Sequence, residues 1–317
     1  MDLQQRARII IETNLALQPG ETLLVVTDDP TREVGELFYE AARAMDHRAL
    51  IMQMPEGSVA GEEPPAPVAA AMKAADVALC PTAKSITHTN ARIKAAAAGT
   101  RVVTMPGITM DMLRDGAACA DYDQVERRTR QLTERLTHAK HARIEKDGHV
   151  LELALTGRDG VASPGVYREP GASGNFPSGE AYIAPLEDGA NGTVVIDGSM
   201  VGIGTLTEPM TVTIENGRLT RIEGADAQGP YAERLGILFD QPENGTIAEL
   251  GIGTNEAAKL CGIILEDEKL YGTVHIAFGT NTSFGGITKA DCHLDGIILN
   301  PTLYLDDECI IREGEFV

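Results

Sequence analysis

The first 140 residues alternate between strand-like and helix-like segments, and this alternation constrains the fold more than any other feature. A buried-strand run, ETLLVVTD (21–28), precedes PTREVGELFYEAARAM (30–45), whose apolar residues recur at helical spacing, and RALIMQM (48–54) is a second strand. The same rhythm continues in DVALCPT (76–82), THTNARIKAAAAG (87–99) and RVVTMPG (101–107). Strand, helix and strand in succession indicate parallel pairing through right-handed crossovers. The sequence therefore predicts an open, mostly parallel α/β sheet that is covered on both faces.

The pattern changes after about residue 145, where glycine, threonine and alternating apolar residues dominate. Segments such as GTVVIDGSM (192–200) and GTIAELGIG (245–253) are typical of strands, and MTVTIENGRLTRIEG (210–224) predicts a hairpin with Asn216-Gly217 at its turn. NEAAKLCGIILEDEK (255–269) has the clearest helical pattern of this half. We therefore predict two domains: an α/β domain over residues 1–144 and a mainly β (α+β) metal-binding domain over 145–317.

Charge and cysteine content exclude several classes of protein. The 317-residue chain has 47 acidic and 27 basic residues, a formal net charge of -20, which disfavours binding to nucleic acid or to anionic membrane. Its five cysteines are scattered without C-x-x-C spacing, as expected of reduced thiols. The amino-terminal residues do not resemble a signal peptide, and no segment has the roughly 20 apolar residues of a membrane span. These features predict a cytoplasmic protein.

Acidic and histidine residues interrupt four apolar or glycine-rich segments of the second half. His293 and Asp295, in DCHLDG, would share one face of a strand, where they could be a metal chelate, a catalytic dyad or a simple hydrogen-bonded pair. A buried lone carboxylate costs several kcal/mol, so each of these groups needs a partner. The complete set is Glu180, Glu249, Glu268, His275, His293 and Asp295.

Three glutamates, two histidines and an aspartate supply oxygen and nitrogen ligands without thiolate, which suits one or two divalent ions such as zinc, manganese, cobalt or iron(II). Two ions bridged by a carboxylate, about 3.5 to 4 Å apart, activate water and polarise a carbonyl oxygen, which is the chemistry of hydrolysis. Outside this set, His88 stands at the start of a helix just after a strand, where open α/β sheets place ligands, and is a candidate for substrate contact.

The order of the motifs resembles the family of aminopeptidase T and aminopeptidase S. The resemblance rests on PSGEAY, AELGIGTN, a DEK segment, HIAFG and HLDG, with THTNARIKAAAAGTRVVTMPGIT upstream. It implies a two-domain metallopeptidase with a dinuclear site, whose ligands would be the six residues named above. Glu268 stands seven residues before His275, two more than in the peptidases. The family's tyrosine falls on Thr282, and this chain is shorter by about a fifth to a quarter.

The resemblance extends to 2,5-dihydroxypyridine 5,6-dioxygenase, which holds one iron(II) with two histidines and an aspartate. Its HLD segment matches His293 and Asp295, whereas its other histidine stands at the position of Glu249 and His275 has no counterpart in it. A triad of His275, His293 and Asp295 is conceivable, yet the retained Glu180 and Glu249 favour the peptidase arrangement.

The sequence interpretation is a metal-dependent hydrolase of the aminopeptidase type that cleaves a small peptide or amide by water activated between two divalent ions, zinc, cobalt or manganese. Glu249 and Asp295 would be shared ligands, and Glu180 a ligand or general base, which makes Glu180 and Glu249 the predicted catalytic residues. Glu268 would be a ligand or a neighbouring carboxylate. The alternative is a mononuclear iron(II) ring-cleaving dioxygenase. The resemblance also implies a homodimer or larger assembly.

Overall fold

The computed structural model describes residues 1–224, 229 and 231–317, and the chain divides into two compact units. Unit 1 comprises Met1–Glu126 and Gly165–Ser178, and unit 2 comprises Arg127–Pro164 and Gly179–Val317. Each unit is therefore built from two segments of the chain. The boundary predicted at 144/145 draws each domain as one continuous segment and does not anticipate the contribution of residues 165–178 to the first unit.

Unit 1 contains a parallel five-stranded sheet, which confirms the predicted α/β class. Its strands lie in the order β2, β1, β3, β4, β8, and every neighbouring pair is parallel. The strands, numbered in chain order, are β1 Thr22–Thr27, β2 Arg48–Gln53, β3 Val77–Thr82, β4 Arg101–Pro106 and β8 Ser173–Asn175. Strands β1 and β3 are almost wholly buried because helices pack on the sheet.

The helices of the first half have amphipathic or alanine-rich sequences with identifiable caps. Thr89 begins the fourth helix by accepting a hydrogen bond from the backbone N–H of Arg92 at 3.3 Å. In the second helix Gly35 allows close packing, since a Cβ there would lie 2.8 Å from Cβ of Thr27. The helices are α1 Leu3–Ile9, which continues as a π-helical turn over Ile10–Asn14, α2 Arg32–Ala44, α3 Ala66–Ala74, α4 Asn90–Ala97, α5 Met110–Arg114 and α6 Tyr122–His138.

Unit 2 contains two antiparallel sheets, which confirms the predicted β-rich second half. The eight-stranded sheet has the order β14, β13, β10, β6, β5, β18, β19, β20, and the seven-stranded sheet has the order β12, β11, β17, β16, β15, β9, β7. Its strands are β5 His141–Lys146, β6 His149–Ala154, β7 Val161–Ser163, β9 Glu180–Ile183, β10 Ala190–Ile196, β11 Ser199–Met200, β12 Gly204–Thr205, β13 Met210–Glu215, β14 Arg218–Glu223, β15 Ile247–Gly253, β16 Val274–Gly279, β17 His293–Ile298, β18 Thr302–Leu305, β19 Glu308–Arg312 and β20 Glu315–Phe316.

Both sheets of unit 2 contribute to one hydrophobic core. Leu151 and Ile196 of the eight-stranded sheet belong to the same buried cluster as Leu250 and Ile276 of the seven-stranded sheet. The predicted hairpin is present, with β13 and β14 joined at Asn216 and Gly217, both at positive φ. Most of α6 also lies in this unit, together with α7 Ala232–Asp240 and α8 Ile264–Asp267.

The predicted helix over 255–269 is wrong, because only Ile264–Asp267 is helical. Carboxylates of this segment accept hydrogen bonds from backbone N–H groups that would donate to backbone carbonyls in a helix. Oδ1 of Asp267 accepts hydrogen bonds from the N–H groups of Cys261 and Gly262, and Oε1 of Glu266 accepts one from that of Lys259. Among the described residues, no helix has the length and apolar character needed to cross a membrane.

Candidate metal centre

One face of the seven-stranded sheet carries polar residues on four neighbouring strands. In the strand register Glu249 of β15 lies opposite Ala277 of β16, and Ala277 lies opposite Asp295 of β17. Alternate residues of a strand share a face, so His275 and His293 point the same way as these carboxylates. Glu180 of β9 pairs with Gly253 of β15 and joins the same face. The other face of β15 and β16 packs into the core.

Glycines make the space that these side chains occupy. A Cβ at Gly251 would lie 1.9 Å from Nε2 of His275, and a Cβ at Gly253 would lie 2.0 Å from the backbone oxygen of Leu270. Real Cβ contacts of this kind do not occur, so the imidazole and the chain that carries Lys269 both depend on strand residues without side chains. The sequence AELGIGTN thus combines a carboxylate with the space beside it.

The six residues predicted from sequence lie together and form two groups of donors. In each group, one possible ligand atom from every member lies within 4.8 Å of the others. We call them the Glu249 group, which is Glu249, His293 and Asp295, and the Glu180 group, which is Glu180, Glu268 and His275. The triad of His275, His293 and Asp295 that the sequence left conceivable is divided between the two.

A backbone carbonyl orients the imidazole of the Glu249 group. Nδ1 of His293 donates to the backbone carbonyl of Thr280 at 2.8 Å, which directs Nε2 toward the two carboxylates. Nε2 lies 3.4 Å from an oxygen of Glu249 and 3.4 Å from an oxygen of Asp295. A histidine that binds a metal usually donates its second N–H to a carbonyl or carboxylate in this way. His293 is also the more accessible imidazole, with 28% of its side chain exposed.

A lysine that the sequence reasoning passed over contacts two members of the Glu180 group. Nζ of Lys269 donates to Oε1 of Glu180 at 2.6 Å and to Oε1 of Glu268, and the lysine side chain is completely buried. Nε2 of His275 lies 3.3 Å from Oε1 of Glu249 and 3.6 Å from Oε2 of Glu180. Nδ1 of His275 has no hydrogen-bond partner among the described residues. Unlike His293, His275 therefore has no acceptor at Nδ1 that would orient its ring.

The carboxylates set the pKa values of the two imidazoles. Burial lowers the pKa of His275, but the hydrogen bond with Glu249 and the nearby negative charges outweigh burial and raise the pKa to about 9. Burial also lowers the pKa of His293, but Asp295 and Glu249 outweigh burial and hold this pKa well above its ordinary value. Burial raises the pKa of Glu249, yet its contacts with both imidazoles lower it to about 2. The carboxylate charges around both imidazoles thus outweigh the effect of burial.

Lys269 and Glu268 also have shifted pKa values. Burial lowers the pKa of Lys269, but the charges of Glu180 and Glu268 outweigh burial and raise it, so the ammonium keeps its proton. Burial raises the pKa of Glu268, Lys269 lowers it, and Glu180 and Asp295 raise it again, giving a value of about 8. Four carboxylates therefore share this face with one ammonium. The oxygen and nitrogen donors fit a divalent cation, which would replace protons on the imidazoles that bind it.

One aromatic ring lies beside His293 and a second packs against the first, and the sequence reasoning missed both. The ring of Phe284 lies edge-on to that of His293 with centroids 6.0 Å apart, and edge-on to Tyr182 at 5.3 Å. Tyr182 could have been found, because it stands two residues after Glu180 on a strand and so shares its face. Phe284 is the last residue of a 3-10 turn that begins at the exposed Thr282, and no periodic pattern marks it.

His88 belongs to unit 1, unlike the six donors of unit 2. It is exposed and lies between β3 and α4, directly before the capping residue Thr89. Its contact with substrate stays a prediction. Lys269 had no sequence signal of its own, since a lysine after Glu266-Asp267-Glu268 has the pattern of an exposed charged turn.

Comparison with known proteins identifies the family. The family model of 2,5-dihydroxypyridine 5,6-dioxygenase (NicX) matches residues 12–317. A curated protein of that name from Pseudomonas putida is 31% identical over 169 residues, which is 50% of this chain and 48% of that protein. The alignment thus spans about half the length of this relative.

Two solved structures share the fold. The 2,5-dihydroxypyridine dioxygenase of Pseudomonas putida KT2440 superposes with a TM-score of 0.83 at 23% identity, covering 99% of this chain and 96% of that one. Wild-type AmpT from Thermus thermophilus, an aminopeptidase T, superposes with a TM-score of 0.72 at 16% identity, covering 99% and 98%. At these identities the likeness concerns the fold alone.

The predicted function is corrected by these findings. The metal-dependent hydrolase, the aminopeptidase activity and the assignment as a zinc metalloprotease are wrong, because the family model and the curated relative both name a dioxygenase. The error has a physical source: the peptidase-like fold and a cluster of carboxylates and histidines were expected to mean hydrolysis, whereas the same fold is found in a dioxygenase. The predicted divalent metal is supported by the donor groups, and the predicted small-molecule substrate suits an enzyme of this family. This chain belongs to the 2,5-dihydroxypyridine 5,6-dioxygenase family.

Proposed function

We propose that the chain is a ring-cleaving dioxygenase that opens 2,5-dihydroxypyridine or a closely related hydroxylated pyridine, with iron(II) held by Glu249, His293 and Asp295. The family match over residues 12–317 supports the reaction class. The name of the curated relative supports the substrate. Iron(II) is proposed in place of the zinc, cobalt or manganese expected from sequence.

The geometry of the Glu249 group is the observation that carries the proposal. Its three donors come from β15 and β17, the two strands that flank β16, and they share one sheet face, while the Thr280 carbonyl orients His293. Imidazole and carboxylate are ligands that iron(II) takes in non-haem oxygenases, whose usual set is two histidines and one carboxylate on one side of the metal. Here the set is one histidine and two carboxylates, so it is more negative than the usual one. Iron(II) bound there would supply the redox chemistry that lets dioxygen react with an electron-rich ring.

The two aromatic rings favour a flat substrate. Phe284 is half-buried and perpendicular to His293, so a planar ring placed next to the metal ligands could contact the face or edge of Phe284. Aromatic pairs of this kind contribute about 0.5–1.5 kcal/mol beyond the area that they bury. Tyr182 also packs edge-on against Phe284, with ring centroids 5.3 Å apart. The role of these two residues in the proposal is to orient the substrate and to exclude water.

An oxygen-uptake experiment tests the proposed function. The protein is loaded with iron(II) without air, mixed with 2,5-dihydroxypyridine in aerated buffer, and followed by an oxygen electrode and by the ring absorbance. We expect one dioxygen consumed for each ring lost. The control is Asp295→Asn, which keeps the size of the side chain and removes the charged ligand. An iron-loaded wild-type protein that consumes no oxygen with this compound or its close relatives would refute the proposal.

The predicted homodimer or larger assembly remains a proposal, which light scattering of the purified chain checks.

A further inference from the structure

Lys269 is a completely buried lysine inside a group of possible metal ligands. Its ammonium contacts Oε1 of Glu180 at 2.6 Å and Oε1 of Glu268. These are two of the three members of the Glu180 group, and the third, His275, lies 3.3 Å from Glu249. An ion in this group would need the carboxylate oxygens that the ammonium already uses.

The backbone holds Lys269 where it is. Its N–H donates to the carbonyl of Glu266 at 3.0 Å, and its own carbonyl accepts from the N–H of Asn255 at 2.9 Å. Gly253 lies so close that a Cβ there would come within 2.9 Å of the carbonyl carbon of Lys269. With its side chain fully enclosed, the ammonium has no exposed position to move to when a second cation arrives. Moving it would also leave Glu180 and Glu268 as buried charges without a partner.

No lysine or arginine forms an ion pair with the Glu249 group among the described residues, and its ion-pair contacts are with the two imidazoles. Its carboxylates face the two imidazoles, and its one imidazole is turned toward them by the Thr280 carbonyl. An imidazole gives up its proton to bind a metal, whereas a lysine ammonium has no acceptor and repels it. The two neighbouring groups, which look equivalent by composition, therefore differ in the charge that already occupies them.

We propose that Lys269 is the built-in cation of the Glu180 group and limits the chain to one divalent ion, bound in the Glu249 group. This inference rests on the metal site of the proposed function but not on its reaction. It makes Lys269 the residue that determines metal stoichiometry on a face that otherwise offers donors for two ions. It also assigns Glu180 and Glu268 to the pairing with Lys269, in place of the ligand roles predicted from sequence.

Metal counting tests the inference without any activity measurement. Wild-type protein and the variants Lys269→Met and Lys289→Met are dialysed against excess manganese(II), and bound metal per chain is measured by atomic emission. Lys289 is an exposed lysine of the same unit and serves as the control. We expect one ion per chain for the wild type and Lys289→Met, and two for Lys269→Met, a twofold increase. Electron paramagnetic resonance should show isolated manganese in the wild type and coupled pairs in Lys269→Met.

Two ions in the wild type, or one ion in a folded Lys269→Met protein, would overturn the inference. Circular dichroism establishes folding. If Lys269→Met does not fold, Lys269→Gln takes its place, since it is also uncharged and retains a hydrogen-bond donor for Glu180. Oxygen uptake by the iron-loaded wild type separates the two proposals. Two ions together with uptake would overturn only this inference, whereas one ion in the wild type, two in Lys269→Met and no uptake would overturn only the proposed function.

Discussion

Replacement of Gly251 by alanine should damage the site through the position of one imidazole. The added Cβ would lie 1.9 Å from Nε2, 2.3 Å from Cε1 and 2.7 Å from Cδ2 of His275. His275 is completely buried, so its ring cannot turn into solvent to relieve the overlap. The ring would have to move away from Glu249, or the strand would have to shift.

The cost of Gly251→Ala follows from these contacts. Overpacking in a filled interior costs about 1–3 kcal/mol. Loss of the hydrogen bond between His275 and the Glu249 carboxylate adds about 1.5–3 kcal/mol, the range for bonds to charged groups. We therefore expect a loss of roughly 2.5–6 kcal/mol in the free energy of unfolding. For a unit of this size, each kcal/mol lowers the melting temperature by about 2–4 °C, so the total decrease should be at least about 5 °C.

Thermal unfolding followed by far-ultraviolet circular dichroism measures this effect. Gly236→Ala is the matched control, because Gly236 lies within α7, has no atom within 4 Å of its added Cβ and is not at positive φ. Alanine is better than glycine inside a helix by about 0.8–1.0 kcal/mol, so the control should be neutral or slightly stabilised. A Gly251→Ala protein that melts within 1 °C of the wild type would show that His275 is not confined as described.

Other changes give more local effects. Asp295→Asn should weaken iron(II) binding by at least roughly 100-fold, since loss of an outer partner alone costs 10–100-fold; equilibrium dialysis measures this, and unchanged affinity would exclude Asp295 as a ligand. Phe284→Ala should raise KM for a hydroxylated pyridine by roughly 2–10-fold through the lost ring contact, with a smaller change in kcat; steady-state oxygen uptake separates the two, and an unchanged KM would contradict the contact. Burial raises the pKa of Cys80 to about 12, so its thiol stays protonated at pH 8 and should react with a disulfide reagent only after denaturation; labelling of the folded protein at Cys80, located by mass spectrometry, would contradict this.

Elements with a strong local sequence pattern were predicted correctly, and elements that depend on contacts distant in sequence were not. Apolar runs and helical spacing placed β1, α2 and β2 within one or two residues of where they lie, and Asn216-Gly217 marked a real hairpin. The strand β8 could not be predicted, because Ser173–Asn175 is short and polar and is a strand only through its pairing with β4. The helix expected over 255–269 failed because its carboxylates bind its own backbone N–H groups.

The sequence identified the individual donor residues of the candidate site, but it did not predict which charged groups contact each other there. Strand alternation placed His293 and Asp295 on one face, and uncharged surroundings marked Glu249 and His275 as residues that need partners. The sequence did not show which side chains from distant segments would contact these residues. The burial of Lys269 depends on the chain crossing close above Gly253, a contact between segments that no periodicity encodes. Function was mistaken for the same reason, since donor types alone suit both hydrolysis and oxygen chemistry.

Anomalous X-ray diffraction at the iron absorption edge, from crystals of the iron-loaded protein grown without air, tests the central claim most directly. The account predicts a single anomalous peak per chain, within bonding distance of Glu249, His293 and Asp295, with the Lys269 ammonium still between Glu180 and Glu268. A peak bound by Glu180, Glu268 and His275, whether alone or beside the first, would contradict it.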